Sequence, residues 1–211
     1  MAAFDVSNRL MTLLAEANAH AIIGNWVRAR ALGVIKGVDF QYSGAVERVN
    51  LELVQKTLQE GLIPIFPNIG WNALGKPYNI SSDELACTLG AALRAEKLFF
   101  VSGCGGVTAS RYALPEEVQP AGDGAVTALT VPQARALIAR NPDRGEDELL
   151  RLLELACRAC AEGVSRVHIV DGGQEGVVLK EIFSSRGSGT MIYADQYENV
   201  RAMRPEDIPE V

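Results

Sequence analysis

The stretch Gly75-Lys76-Pro77-Tyr78-Asn79-Ile80-Ser81-Ser82-Asp83-Glu84 decides how the chain is read. A glycine–proline turn runs into Ser-x-x-Glu, the pattern that caps a helix N-terminus. Leu85, Ala86, Leu89 and Leu93 then fall on one helical face. An amide, two hydroxyls and a carboxylate therefore gather at a helix start, a place that favours an anion or an organised polar site. Asn79 is placed to bond a ligand carboxylate or amine, and Asp83 to orient a cation. Simple capping by Ser81 and Glu84, with Asp83 favouring the helix dipole, explains the same residues.

Outward from that stretch, short apolar runs alternate with helical patterns. Residues 4–18 and 51–58 read as helices, the second capped by Asn50 and stopped by Gly61. Strands are expected at 21–23, 38–42, 62–66, 97–101, 166–170 and 190–193, with turns at Ser43-Gly44 and over 72–77. Helices are expected over 132–138, 145–162 and on to Phe183. Residues 110–128 read as a long surface excursion. The order predicts an α/β three-layer sandwich with a mostly parallel sheet. Ligands in such folds lie beyond the carboxyl ends of the strands. Three loops qualify: the one before Asn79, Gly103 to Gly106, and Asp171 to Gly173.

Composition narrows the classes. The 211 residues have 48% apolar and 22% charged content, as in a globular protein with a real core, and a formal net charge of −6. That charge argues against nucleic-acid binding. No signal-peptide pattern and no membrane-length apolar run is present, so a cytoplasmic protein with four reduced cysteines is expected. Cys157 and Cys160 form a C-x-x-C in mid-helix, which reads as core, and no metal site is expected. His168 reads as a core histidine within a strand.

Two glycine-rich loops remain. Gly103, Gly105 and Gly106 follow a strand and could approach a nucleotide, although they match neither phosphate-loop pattern. Gly187-Ser188-Gly189-Thr190 permits a tight turn, and the Glu181 carboxylate nearby could hold a guanidinium. A plain helix-to-strand connection is the competing reading.

Three segments together resemble the amino-acid kinase superfamily as used in arginine biosynthesis: Gly75 to Leu98, Arg166 to Gly172, and Leu179-Lys180-Glu181-Ile182-Phe183 with Gly187-Ser188-Gly189-Thr190. The third is similar to the L-arginine-binding segment of arginine-sensitive N-acetylglutamate kinases and synthases. Gly24-Asn25-Trp26-Val27 through Asp39, and Arg204 to Ile208, resemble the synthase more than the kinase. The resemblance implies an L-arginine site at Glu181, Gly187 and Gly189, with N-acetylglutamate or glutamate as further small-molecule partners, and a homo-oligomer. It implies a kinase-like domain over 1–200 whose N-terminal portion is absent, with 201–211 as linker or tail.

The family's lysine-and-glycine phosphate loop does not precede Met1, and its later lysine near Arg151 is missing, with Arg151 or a neighbour in that place. A regulatory domain without kinase activity of its own is therefore the leading expectation, with acetyl-CoA chemistry on another domain. An active acetylglutamate kinase is the alternative. It would use ATP and Mg, Asp83 as catalytic residue, Asn79 on substrate and Gly103, Gly105 and Gly106 on nucleotide. A non-catalytic assembly module is the third expectation.

Overall fold

The computed structural model describes residues 2–142, 147–184 and 187–194. The chain divides into two compact units, Met1–Phe100 with Ala161–Ser165, and Val101–Cys160 with Arg166–Val211. The expected 201–211 tail and the first residues of the 145–162 helix lie outside the described residues.

The first unit opens with α1 (Ala2–Glu16), β1 (Ala21–Ile23) and β2 (Val27–Ala31). A hairpin of β3 (Val34–Ile35) and β4 (Val38–Asp39) leads to β5 (Ser43–Val49) and α2 (Leu51–Gln59). Then come β6 (Ile63–Ile65), β7 (Ile69–Trp71), β8 (Pro77–Ile80), α3 (Ser82–Ala92) and β9 (Lys97–Ser102), which carries the chain towards the second unit. Strands β1 and β6 pair in parallel. Strands β2, β5, β8 and β7 close into a barrel.

Capping follows the sequence. Asn50 accepts from the Leu53 N–H and Ser81 from the Glu84 N–H. Gly61 takes the left-handed φ of +76° that ends α2.

The barrel was not visible in the strand pattern, and its interior explains why. Ala29 is fully buried, and a Cβ on Gly70 would lie 2.6 Å from the Ala29 Cβ. A Cβ on Gly44 would lie 2.8 Å from the Tyr78 Cβ. The small lumen selects alanine and glycine where an open sheet would carry valine or isoleucine. The expected turn over 72–77 ends at Lys76, with Pro77–Ile80 a strand, and the turn expected at Ser43-Gly44 is instead the start of the strand Ser43–Val49. Val27, Ala29, Tyr78 and Ile80 of the barrel strands form one buried core cluster with Leu85 of α3.

The second unit adds β10 (Val107–Thr108), β11 (Ala125–Val126), β12 (Ala128–Thr130), α4 (Val131–Arg140), α5 (Glu148–Ala161), β13 (Arg166–Asp171), α6 (Val177–Phe183) and β14 (Thr190–Tyr193). β14 lies between β12, parallel to it, and β13, antiparallel to it, with Ile169 opposite Thr190. Helix α5 is buried at nine of its fourteen positions, Cys157 and Cys160 among them. The other five, Glu148, Arg151, Glu154, Arg158 and the last residue Ala161, spaced three or four apart, form an exposed stripe, charged at its first four positions. Both cysteines are thus core residues, as their spacing suggested.

Residues 161–165 return to the first unit. Val164 is buried there and sits 3.1 Å from the position of a Cβ on Gly90, and the Ser165 N–H donates to the Ala95 carbonyl. Among the described residues no helix is long and apolar enough to cross a membrane.

Gly70→Ala forces a methyl into the Ala29 side chain. We expect a loss of about 1–3 kcal/mol in urea unfolding, as overpacking of a tight core costs. An unchanged midpoint would show the barrel interior to be looser than its spacing.

Candidate functional site

Three loops of the second unit converge at the carboxyl end of β13. The Gly172 N–H donates to the Ser102 carbonyl at 2.8 Å, joining the loop after β13 to the end of β9. A Cβ on Gly105 would lie 3.8 Å from the Asp171 Cβ. A Cβ on Gly106 would meet Thr190 Oγ1 at 2.9 Å, and one on Gly189 would collide with the Ile169 carbonyl. Gly106 and Gly189 are therefore glycines because backbone packs where side chains would stand.

Two side chains fasten this convergence. Thr190 is fully buried; its hydroxyl donates to the Val126 carbonyl at 2.6 Å and accepts from the Val107 N–H at 2.8 Å. One hydroxyl thus links β10, β11 and β14. Glu181, on α6, is 9% exposed. Its Oε1 accepts from His168 Nδ1 at 2.8 Å, and its Oε2 from the N–H groups of Ser188 at 2.5 Å and Gly189 at 3.0 Å. Gly187 takes a φ of +68°, with a Cβ there only 2.7 Å from Oε2. A side chain at 187 would be strained in backbone and blocked by the carboxylate.

Burial pushes the Glu181 carboxyl up, but the hydrogen bonds from His168, Ser188 and Gly189 outweigh it and hold it below the usual range. His168, expected only as a core residue, is the partner that orients this carboxylate. Its spacing of thirteen residues from Glu181 gave no periodic signal.

Next to this loop, Asp147 caps α5 by accepting from the Leu149 N–H at 2.9 Å. It also accepts from the Tyr112 hydroxyl at 2.8 Å and pairs with Arg111 at 3.2 Å. Burial raises its pKa, and the Tyr112, backbone and Arg111 contacts more than reverse that. Arg111 donates as well to the Cys104 carbonyl at 3.2 Å. The Cys104 thiol, 2.8 Å from Ser102 Oγ, is pushed up by burial. That burial disfavours the thiolate form.

The expected site residues fall into two groups. Gly103, Gly105, Gly106, Glu181, Gly187 and Gly189 come together in the second unit. Asn79 and Asp83 belong to the first. Asn79 is exposed on β8, and its Oδ1 accepts from Asn68 Nδ2 at 3.0 Å. Asp83 is half-buried in the first turn of α3, with Ser82 Oγ 3.4 Å from its Oδ1.

A nucleotide site at Gly103 needs open backbone and fixed cations. Gly103 has no neighbour within 4 Å of a Cβ position, and Gly105 is left-handed, so the backbone there is open. Among the described residues of the second unit the only lysine is Lys180, and Arg111, beside this loop, is committed to Cys104 and Asp147. No group of three or more metal-ligating side chains exists among the described residues. The described residues at this loop do not by themselves supply the fixed positive charge that a triphosphate with its metal needs on its oxygens.

The chain belongs to the amino acid kinase family, whose model matches residues 3–171. Within it, the chain is 36% identical over 200 residues to the amino-acid acetyltransferase of Aeromonas salmonicida (strain A449), covering 93% of this chain and 42% of the relative. It is also similar to N-acetylglutamate synthase from Neisseria gonorrhoeae. The complex with coenzyme A and N-acetyl-glutamate matches at a TM-score of 0.77 and 28% identity, over 98% of this chain and 45% of that one. The complex with coenzyme A and L-arginine matches at 0.73 and 28% identity, over 90% and 42%. The chain thus spans less than half the length of these relatives, and its fold is amino-acid-kinase-like throughout the matched region.

Thr190→Val keeps shape and removes the hydroxyl. The buried Val107 N–H then loses its acceptor, and we expect a cost of about 2–3 kcal/mol, read by denaturant unfolding. Glu181 is held below the usual carboxylate range, so its stabilisation is complete above the unfolded value of about 4.3 and drains away as pH falls through the lower folded value. Stability measured from pH 7 down to 3 should therefore fall more steeply in the wild type than in Glu181→Gln. Parallel curves would refute the ionised clamp.

Proposed function

We propose that this chain is the kinase-like, L-arginine-sensing domain of an N-acetylglutamate synthase in arginine biosynthesis, without kinase activity of its own. The acetyl transfer would belong to the portion of such synthases that this chain does not span. One observation carries the reading: Glu181 lies directly against the Gly187–Gly189 bend, so a buried negative charge backs a half-buried glycine bend. That pairing suits a guanidinium, the cation that takes carboxylate oxygens two at a time. Similarity over most of the chain to a synthase complexed with coenzyme A and L-arginine supports it.

Both Glu181 oxygens already have partners, so the ligand exchanges with them. A guanidinium arriving at Oε2 replaces the Ser188 and Gly189 N–H groups and releases the bend that precedes β14. Binding and loop movement are then the same event, which is what a sensor requires. N-acetylglutamate or glutamate is the further ligand class, with Asn79 and Asp83 as its polar contacts. Among the described residues, the one cation beside Gly103, Gly105 and Gly106, Arg111, is engaged by Cys104 and Asp147, which supports a regulatory role over phosphoryl transfer.

L-arginine should raise the melting temperature of the 211-residue chain and release or absorb heat in calorimetry, with D-arginine and L-lysine far weaker. Glu181→Ala should abolish the response. A folded sample that gives neither heat nor shift would overturn the sensing reading. ADP release from Mg-ATP and N-acetyl-L-glutamate would overturn the inactive-kinase half of it.

A further inference from the structure

Asn68, just before β7, holds a left-handed φ of +36°, a conformation that asparagine tolerates better than most residues with a Cβ. Both its main chain and its side chain reach the end of β8. The Asn68 carbonyl accepts from the Ile80 N–H at 3.0 Å. Its Nδ2 donates to the Ile80 carbonyl at 3.3 Å and to Asn79 Oδ1 at 3.0 Å.

The chemistry of those partners fixes which way two amides face. A main-chain carbonyl can only accept, so the Asn68 atom against Ile80 is its NH2 group. That group has two protons, one for Ile80 and one for Asn79. The Asn79 atom that takes the second can only be oxygen. Asn79 Nδ2 is therefore turned away from Asn68, and it has no partner among the described residues. The rest of Asn79 is already held. Its N–H donates to the Tyr42 carbonyl at 2.8 Å, and it pairs with Ser43 of β5 and Ile69 of β7. Tyr78 and Ile80 are buried and Asn79 is exposed, so its side chain stands on the outer face of the barrel. Only the rotation of its amide is left, and Asn68 removes that freedom.

We propose that Asn68 is the positioning residue for Asn79, and that it restricts the ligand group Asn79 can read to a hydrogen-bond acceptor, a carboxylate or an acyl carbonyl. The inference rests on the reading of Asn79 as a contact for N-acetylglutamate or glutamate. An amine, the other partner that the sequence allows, would present donors to donors. N-acetyl-L-glutamate carries two carboxylates and an acyl carbonyl and no ammonium, so Asn79 favours it over L-glutamate. An amide held in the binding orientation beforehand spares the ligand the cost of ordering it.

Two measurements on the 211-residue chain test this, and the first needs no ligand. By NMR, the side-chain amide protons of Asn68 should exchange slowly with water and those of Asn79 fast. Asn68→Asp offers only acceptors, so it should turn the Asn79 amide round and slow its protons, a change that a merely structural residue would not produce. Slow Asn79 protons in the wild type, or fast ones in a folded Asn68→Asp, overturn the proposal. The second is calorimetric titration with N-acetyl-L-glutamate. Asn68→Gly accepts the left-handed backbone and keeps the main-chain bond to Ile80, so it should stay native by circular dichroism and bind about three- to tenfold more weakly. Undiminished affinity in Asn68→Gly, where Asn79→Ala binds less, rejects Asn68 as the positioning residue. A wild type that does not bind, or an Asn79→Ala that binds as well as wild type, removes the ligand reading of Asn79 and with it the restriction on ligand groups. The exchange measurement then decides whether Asn68 orients the amide.

Discussion

A single buried carboxylate organises the second unit. Glu181 spends both of its oxygens inside the protein, one on His168 and one on the N–H groups of Ser188 and Gly189. Without that charge the bend before β14 would carry buried donors with nothing to receive them, and such donors are costly. The bend in turn sets where Thr190 begins β14, and Thr190 joins β10 and β11 to the sheet. Helix α6, strand β13 and three loops thus share one electrostatic anchor.

The anchor also explains the placement of glycine. Positions 106, 187 and 189 each lack room for a Cβ, for three different reasons: a hydroxyl, a carboxylate and a backbone carbonyl. A glycine-rich loop in this family need not be a phosphate loop. Here Gly106 and Gly187 serve close packing around Thr190 and Glu181, while Gly103 and Gly105 leave the backbone open.

Local signals were legible in the sequence wherever the chain obeys local rules. The Asn50 and Ser81 caps, the Gly61 stop and the buried C-x-x-C all follow from spacing and chemistry that act over a few residues. The barrel did not announce itself, because a narrow lumen replaces the alternating valines of a strand by Ala29, Gly44 and Gly70. His168 and Thr190 were hidden for another reason. Their partners stand 13, 64 and 83 residues away, and no periodicity reaches that far. Family resemblance supplied the arginine expectation at Glu181, but only the coordinates place the carboxylate beneath the loop with its oxygens already engaged.

The short return of residues 161–165 to the first unit has a consequence for synthesis. Val164 and Ser165 complete a unit whose other hundred residues were made long before them. A ribosome therefore releases the first unit unfinished, with Gly90 and the Ala95 carbonyl uncovered, until most of the second has emerged. The two units cannot mature one after the other along the nascent chain, and no single cut in the gene yields either of them whole.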